Sequence, residues 1–171
     1  MAESRSEKLD RARSYLRGKG ATSDEYFKLA KDLKGTNDFG YARRLLARAR
    51  DEFRDELVRD RKRALLFTQQ LALCTYKDPD QPAFQRLERA LEILKEVEDL
   101  DTTKDQGTLG LAGSIHKRFW QVNPNKGYLE KSLDFYMRGY LEGPENDFGY
   151  TGINAAFVQD LLAHIEERGE L

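Results

Sequence analysis

The spacing of small residues among large ones constrains this chain more than any other feature. Tyr26, Leu29, Ala30 and Leu33 put three large side chains and one small one on a single helical face. Ala42, Leu46 and Ala49 follow as small, large, small, after a turn flanked by Gly35 and Gly40. Apolar residues three and four apart predict helices, and a small residue at each crossing point lets two helices approach closely. That is the pattern of a helix-turn-helix repeat of about 34 residues. A second unit places Leu71 and Ala72, then Ala90, Leu94 and Val97, with a longer turn that holds Pro79 and Pro82. A third runs Leu109, Ala112, Gly113 and His116, then Ser132, Tyr136, Gly139 and Pro144, its turn extended around Pro124 and Gly127. Counting on from Pro144 in the same phase makes Tyr150, Ile153, Asn154 and Phe157 the inward positions of a fourth unit, with no complete second helix before Leu171.

The expected architecture is all-α, a right-handed helical-repeat solenoid with a concave face. It has eight helices at about 3–18, 23–34, 38–54, 57–76, 83–98, 106–121, 127–141 and 150–167. Residues 1–171 are read as a single domain. An N-terminal capping helix lies within 1–20, with Leu9, Ala12, Tyr15 and Leu16 on one stripe. Helix pairs follow at 23–54, 57–98 and 106–144, and the final helix, 150–167, is unpaired. With 39% hydrophobic residues, a chain of 171 can bury a core. Its 29 basic and 30 acidic residues nearly cancel, which argues against a general nucleic-acid or membrane-surface binder. No apolar run approaches the ~20 residues of a membrane span, and the opening Met1-Ala2-Glu3-Ser4-Arg5 lacks a signal-peptide core. A cytoplasmic protein is expected. The single Cys74 allows no internal disulfide and no multi-cysteine zinc site.

Several strings carry more than repeat spacing. They are Gln70-Leu-Ala-Leu-Cys-Thr-Tyr-Lys-Asp-Pro79, Thr108-Leu-Gly-Leu-Ala-Gly113 leading to Lys117-Arg118 and Trp120, Tyr136-Met-Arg-Gly-Tyr140, and Gly149-Tyr-Thr-Gly-Ile-Asn-Ala-Ala156. Together, over about residues 25–165, they resemble the tetratricopeptide-like TRAFs-binding domain of apoptosis-signal-regulating MAP kinase kinase kinases. They also resemble its bacterial relatives, the signalling-type tetratricopeptide domains of conflict and immunity systems. The resemblance implies a tetratricopeptide-like fold and a signalling or scaffolding role, with recognition of a nucleotide-derived ligand as a further implication. Gly107 departs from the pattern, which carries an acidic residue before Thr-Leu-Gly.

The candidate binding residues are Lys117, Arg118, Tyr136, Arg138, Tyr150 and Asn154. Lys117, Arg138 and Asn154 are expected to project into the groove of the last repeats and hold an anion or an acidic peptide. Asn154 replaces the small apolar residue of the generic repeat, and a buried amide needs a partner. Half of the aromatic residues fall between Phe119 and Phe157; most are core, while Tyr136, Tyr140 and Tyr150 are candidates to stack on a base or a peptide side chain. Gly149 and Gly152 bracket the start of the last helix, whose free amides suit a phosphate. No catalytic residue, metal or cofactor is expected. His116 and His164 lack the i, i+4 partner of a helical zinc site, His116 reads as a core residue, and Cys74 as a buried small hydrophobe. Residues 43–63 hold nine Arg or Lys and five acids, an interleaving that argues against nucleic acid.

The function expected is that of a non-catalytic interaction domain binding an effector or signalling protein through the concave groove. The rival is a sensor whose C-terminal repeats bind a nucleotide-derived ligand and relay its occupancy. The apolar flank Ile153, Phe157, Leu161 and Leu162 is expected to lack an intramolecular neighbour and to pair with a second copy, a partner or a missing C-terminal segment.

Overall fold

Several of the helices begin where a side chain satisfies free amides. In this computed structural model, which describes residues 3–169, Ser4 caps α1 (Arg5–Leu16) and Thr22 caps α2 (Ser23–Gly35), each in a reciprocal box with the Glu three residues on. The Ser4 amide donates to Glu7 Oε2 at 2.7 Å and the Glu7 amide to Ser4 Oγ at 3.3 Å. Then come α3 (Phe39–Glu52), the short α4 (Arg54–Arg59) and α5 (Arg61–Lys77), whose first turn is capped by Asp60 accepting from the Arg63 amide at 3.0 Å. After α6 (Ala83–Lys95) come α7 (Gln106–Val122), capped by Asp105, α8 (Lys126–Leu141), capped by Asn125, and α9 (Tyr150–Arg168). The described residues thus hold nine α-helices rather than eight, and no strand. The addition arises because the helix expected over 57–76 breaks at Asp60, whose non-helical backbone ends α4 and whose side chain caps α5. Met1 and Ala2, read above for a leader, and Leu171 lie outside the described residues.

The helices group into two compact units, 1–93 and 94–171. In the first, α1 packs on α2 and α3, α2 on α3, and α3 on α5. Tyr26, Leu29, Ala30 and Leu33 of α2 meet Ala42, Leu45, Leu46 and Ala49 of α3, all fully buried. Phe27 and Phe67 close at 4.7 Å between ring centres. The buried Asp78, just past α5, accepts from Arg43 Nε at 2.9 Å.

The second unit is built on glycines that admit rings. A methyl group added at Gly113 on α7 would stand 2.8 Å from the Tyr136 ring, and one at Gly139 on α8 would stand 2.6 Å from Thr151 Cγ2. A methyl group at Gly152 would stand 2.8 Å from the Tyr140 ring, and one at Gly110 3.2 Å from the Tyr150 ring. Around these crossings Leu129, Tyr136, Ala155, Val158, Leu162 and Ile165 form a core cluster, with Trp120, Leu133 and Leu161 packed against it.

The phase expected for the last helix is wrong. α9 buries Thr151, Ala155, Val158, Leu162 and Ile165, one residue later than counted, while Tyr150, Ile153 and Phe157 are exposed and Asn154 is half-buried. The cause is the connection. A 3-10 turn, Pro144–Asp147, is followed by Phe148 (φ 55°) and Gly149 (φ 77°), both left-handed. This elbow, not a repeat turn, sets where α9 starts, and one residue rotates a helix face by about 100°. The apolar flank is corrected with it. Leu162 is only 8% exposed and Leu161 packs on the core, whereas Ile153 and Phe157 are 69% and 56% exposed.

Replacing Gly113 with Ala should therefore destabilise the protein in urea denaturation. Overpacking costs about 1–3 kcal/mol, against the ~1 kcal/mol that Ala gains over Gly in a helix. Gly35→Ala, where a methyl group meets open space, should instead be neutral or stabilising by up to about 1 kcal/mol. A stabilised Gly113→Ala variant would contradict the packing described.

Candidate functional site

On α7, Gly110, Ser114 and Lys117 follow one another at helical spacing on a single face. Ser114 Oγ lies 2.9 Å from the Gly110 carbonyl, to which its one proton goes. The hydroxyls of Tyr136 and Tyr150 lie 3.0 Å and 2.8 Å from the same oxygen and so donate to its two lone pairs. The two rings meet edge-on at 6.3 Å.

One turn further on, Lys117 Nζ donates to Asn154 Oδ1 at 2.8 Å, and Asn154 Nδ2 donates to the Tyr150 carbonyl at 2.9 Å. The ammonium also lies 5.6 Å from the Tyr136 ring centre and 5.3 Å from that of Phe157. Among the described residues no carboxylate pairs with it. Burial pushes its pKa below the ordinary lysine value, and the neighbouring charge of Arg118 pushes the same way. The result is a half-buried cation held by an amide oxygen and two ring faces, with donors unspent.

Of the six candidate residues, the fold brings together Lys117, Tyr136, Tyr150 and Asn154. The shifted phase of α9 accounts for this, since it turns Tyr150, Asn154 and Phe157 away from the core and toward Lys117. It does not bring in Arg138. That guanidinium donates to the carbonyls of Leu100 and Thr103 at 2.9 and 3.1 Å, tying the loop before α7 to α8, and it lies over the Phe135 ring. Arg118 is exposed and donates to Gln121 on its own helix. The ring of Tyr140 packs over Gly152.

The phosphate reading of the α9 start is also corrected. Asp147 already occupies it, Oδ2 accepting from the Thr151 amide at 2.9 Å and from the Thr151 hydroxyl at 2.6 Å. Burial raises the Asp147 pKa, but hydrogen bonds from Thr151 and from the backbone of Gly149 and Tyr150 outweigh it and leave the group below the usual carboxylate value. At the other end of the site Gly107 is exposed in the first turn of α7. The acid there is Asp105, whose Oδ1 accepts from the Thr108 amide at 2.7 Å.

Sequence reasoning missed Ser114, the hub of the hydroxyl cluster, and Asp147. For Ser114 a signal existed in its helical spacing from Gly110 and Lys117. His116 is a core residue, its Nδ1 2.9 Å from the Ala112 carbonyl and its ring 5.2 Å from Phe135, with burial lowering its pKa. Cys74 is buried and its thiol is pushed up to about 12 by desolvation, which disfavours the thiolate. Among the described residues no group of three or more His, Cys, Asp or Glu could hold a metal, and no helix is long and apolar enough to cross a membrane.

A family model described as Tetratricopeptide Repeats-Sensor matches residues 38–159, most of the chain. No curated protein and no solved structure matches it.

The Asp147 cap has a measurable consequence. Its folded-state pKa is depressed, so its contribution to stability is present above the ordinary carboxylate pKa and is lost as pH falls through the depressed one. Asp147→Ala should cost about 1 kcal/mol at neutral pH, the usual value of a lost N-terminal cap. Urea titrations of the two proteins at pH 7 and near pH 2.5 should show the difference shrinking in acid. An undiminished difference would mean that charge plays no part in the cap.

Proposed function

The chain belongs to the Tetratricopeptide Repeats-Sensor family, and from that premise we propose that it is a non-catalytic sensor whose α7 and α9 bind a nucleotide-derived anionic ligand at Lys117. The observation that carries this reading is the state of Lys117. A half-buried ammonium without a carboxylate is unfavourable to hold, and an anionic group arriving from solution would supply the missing charge. The partly exposed aromatic residue Phe157 beside it, with Tyr150 on the same helix, offers stacking surface for a base. The resemblance of the glycine-rich strings to signalling-type tetratricopeptide domains supports a place in a signalling or defence system, in which occupancy is passed to an effector.

A protein partner is the second reading, favoured by the outward apolar side chains of Ile153 and Phe157 next to the same lysine. A partner carrying an acid among apolar residues fits that surface.

A thermal-shift panel of mono-, di- and cyclic nucleotides separates the two. The sensor reading expects one nucleotide class to raise the melting temperature by several degrees. Lys117→Met should abolish that shift while leaving unliganded stability within about 0.5 kcal/mol. A flat panel, or a shift retained by Lys117→Met, overturns it, and a flat panel leaves the protein-partner reading.

A further inference from the structure

The basic run over 43–63 looks like an ion-paired face in the sequence, and the structure divides it. Towards its end the acids find partners: Asp51 with Arg54 at 3.6 Å and Glu56 with Arg63 at 3.3 Å. At its start the arginines of α3 are served differently. Arg44 donates to the Gly40 carbonyl at 3.1 Å and lies 4.4 Å from the Tyr41 ring centre, with no carboxylate beside it among the described residues. Arg86 of α6 donates to the Asp78 carbonyl at 2.7 Å, again a neutral partner. The buried Asp78 carboxylate is engaged by Arg43.

Two hollows share Arg43 and Ala47 as a common wall. The smaller, about 250 Å³, has an apolar floor of Leu71 and Ile93 and is overlooked by Arg86, Arg89 and Gln85. The larger, about 860 Å³, runs past Arg44 and Arg48 to Leu16. Five guanidiniums therefore face one trough, opposed at its rim by Asp51 and Glu52, the latter 3.3 Å from Arg48. Arg89 has an ion pair with Glu92 at 3.0 Å, but both side chains are more than half exposed, and such a pair is readily exchanged. The chain as a whole carries a net charge of -1, so this positive character is local.

We propose that the trough along α3 docks an acidic peptide in extended conformation. One glutamate-like side chain enters the smaller hollow, its methylene stem against Ala47, Leu71 and Ile93 and its carboxylate at Arg86. The following residues pass over Ala47 toward Arg44 and Arg48. The acids on the rim select the occupant. A nucleic-acid backbone would set phosphates against Asp51 and Glu52, whereas an extended peptide turns alternate side chains away.

Fluorescence anisotropy with a fluorescein-labelled peptide alternating glutamate and alanine, at low salt, tests this. Wild type should bind, with affinity falling as salt approaches about 0.15 M. The double variant R44E/R86E should bind at least about tenfold more weakly. Because Arg86 is half-buried, Arg44→Glu alone, at an exposed position, keeps the test independent of folding and should weaken binding several-fold. Lys117→Met should bind the peptide like wild type, which separates this surface from the ligand site on α7. Absence of binding by wild type, equal binding by Arg44→Glu, or displacement of the peptide by a single-stranded oligonucleotide at lower concentration would each overturn the proposal.

Discussion

The ring of Tyr136 rests on α7 where Gly113 has no side chain, and the second unit of the protein is organised around that contact. With any larger residue at 113 the two helices could not keep their spacing, because the neighbouring atoms belong to the fully buried ring of Tyr136. The same contact fixes where the Tyr136 hydroxyl ends, at Ser114, and Ser114 in turn receives Tyr150. The candidate site is thus a consequence of close packing. Ser132 strengthens the crossing by donating to the Gly113 carbonyl at 2.8 Å.

Two cations from neighbouring strings illustrate how context assigns roles. Lys117 and Arg138 are both half-buried and both lie near aromatic rings. Arg138 spends its planar fork on two carbonyls of a loop, which suits a guanidinium with several fixed donors. It has become a structural tie. Lys117 is a point charge with three donors; one goes to Asn154, and its surroundings are otherwise ring faces. Asp147 makes the complementary case, an anion that closes a helix start to other anions by occupying it.

Most core stripes of the first three units were legible from spacing alone. Tyr26, Leu29, Ala30 and Leu33, then Ala42, Leu46 and Ala49, and later Leu109, Ala112 and Gly113 are buried as their periodicity requires. The fourth unit was not. Its phase depends on the elbow at Pro144–Gly149, where Phe148 adopts a left-handed backbone that a bulky residue rarely takes. Phe148 is also 97% exposed, and nothing in the pattern of hydrophobic residues marks such a conformation. The break at Asp60 escaped for a similar reason, since a capping aspartate inside a helical pattern is indistinguishable from an ordinary surface acid.

By itself the sequence determined that this chain is helical, where its first six core stripes lie, and which glycine- and tyrosine-bearing strings are special. Those features are local, because periodicity and capping concern residues within a few positions of one another. Only the tertiary structure decided that Lys117 meets Asn154 and Phe157, that Arg138 does not join them, and that the arginines of α3 and α6 face one trough. Those outcomes depend on how far one helix is rotated against the next. That rotation is set by turn dihedrals and by the depth to which a ring can sink onto a glycine, and neither is written in the periodicity of a single helix.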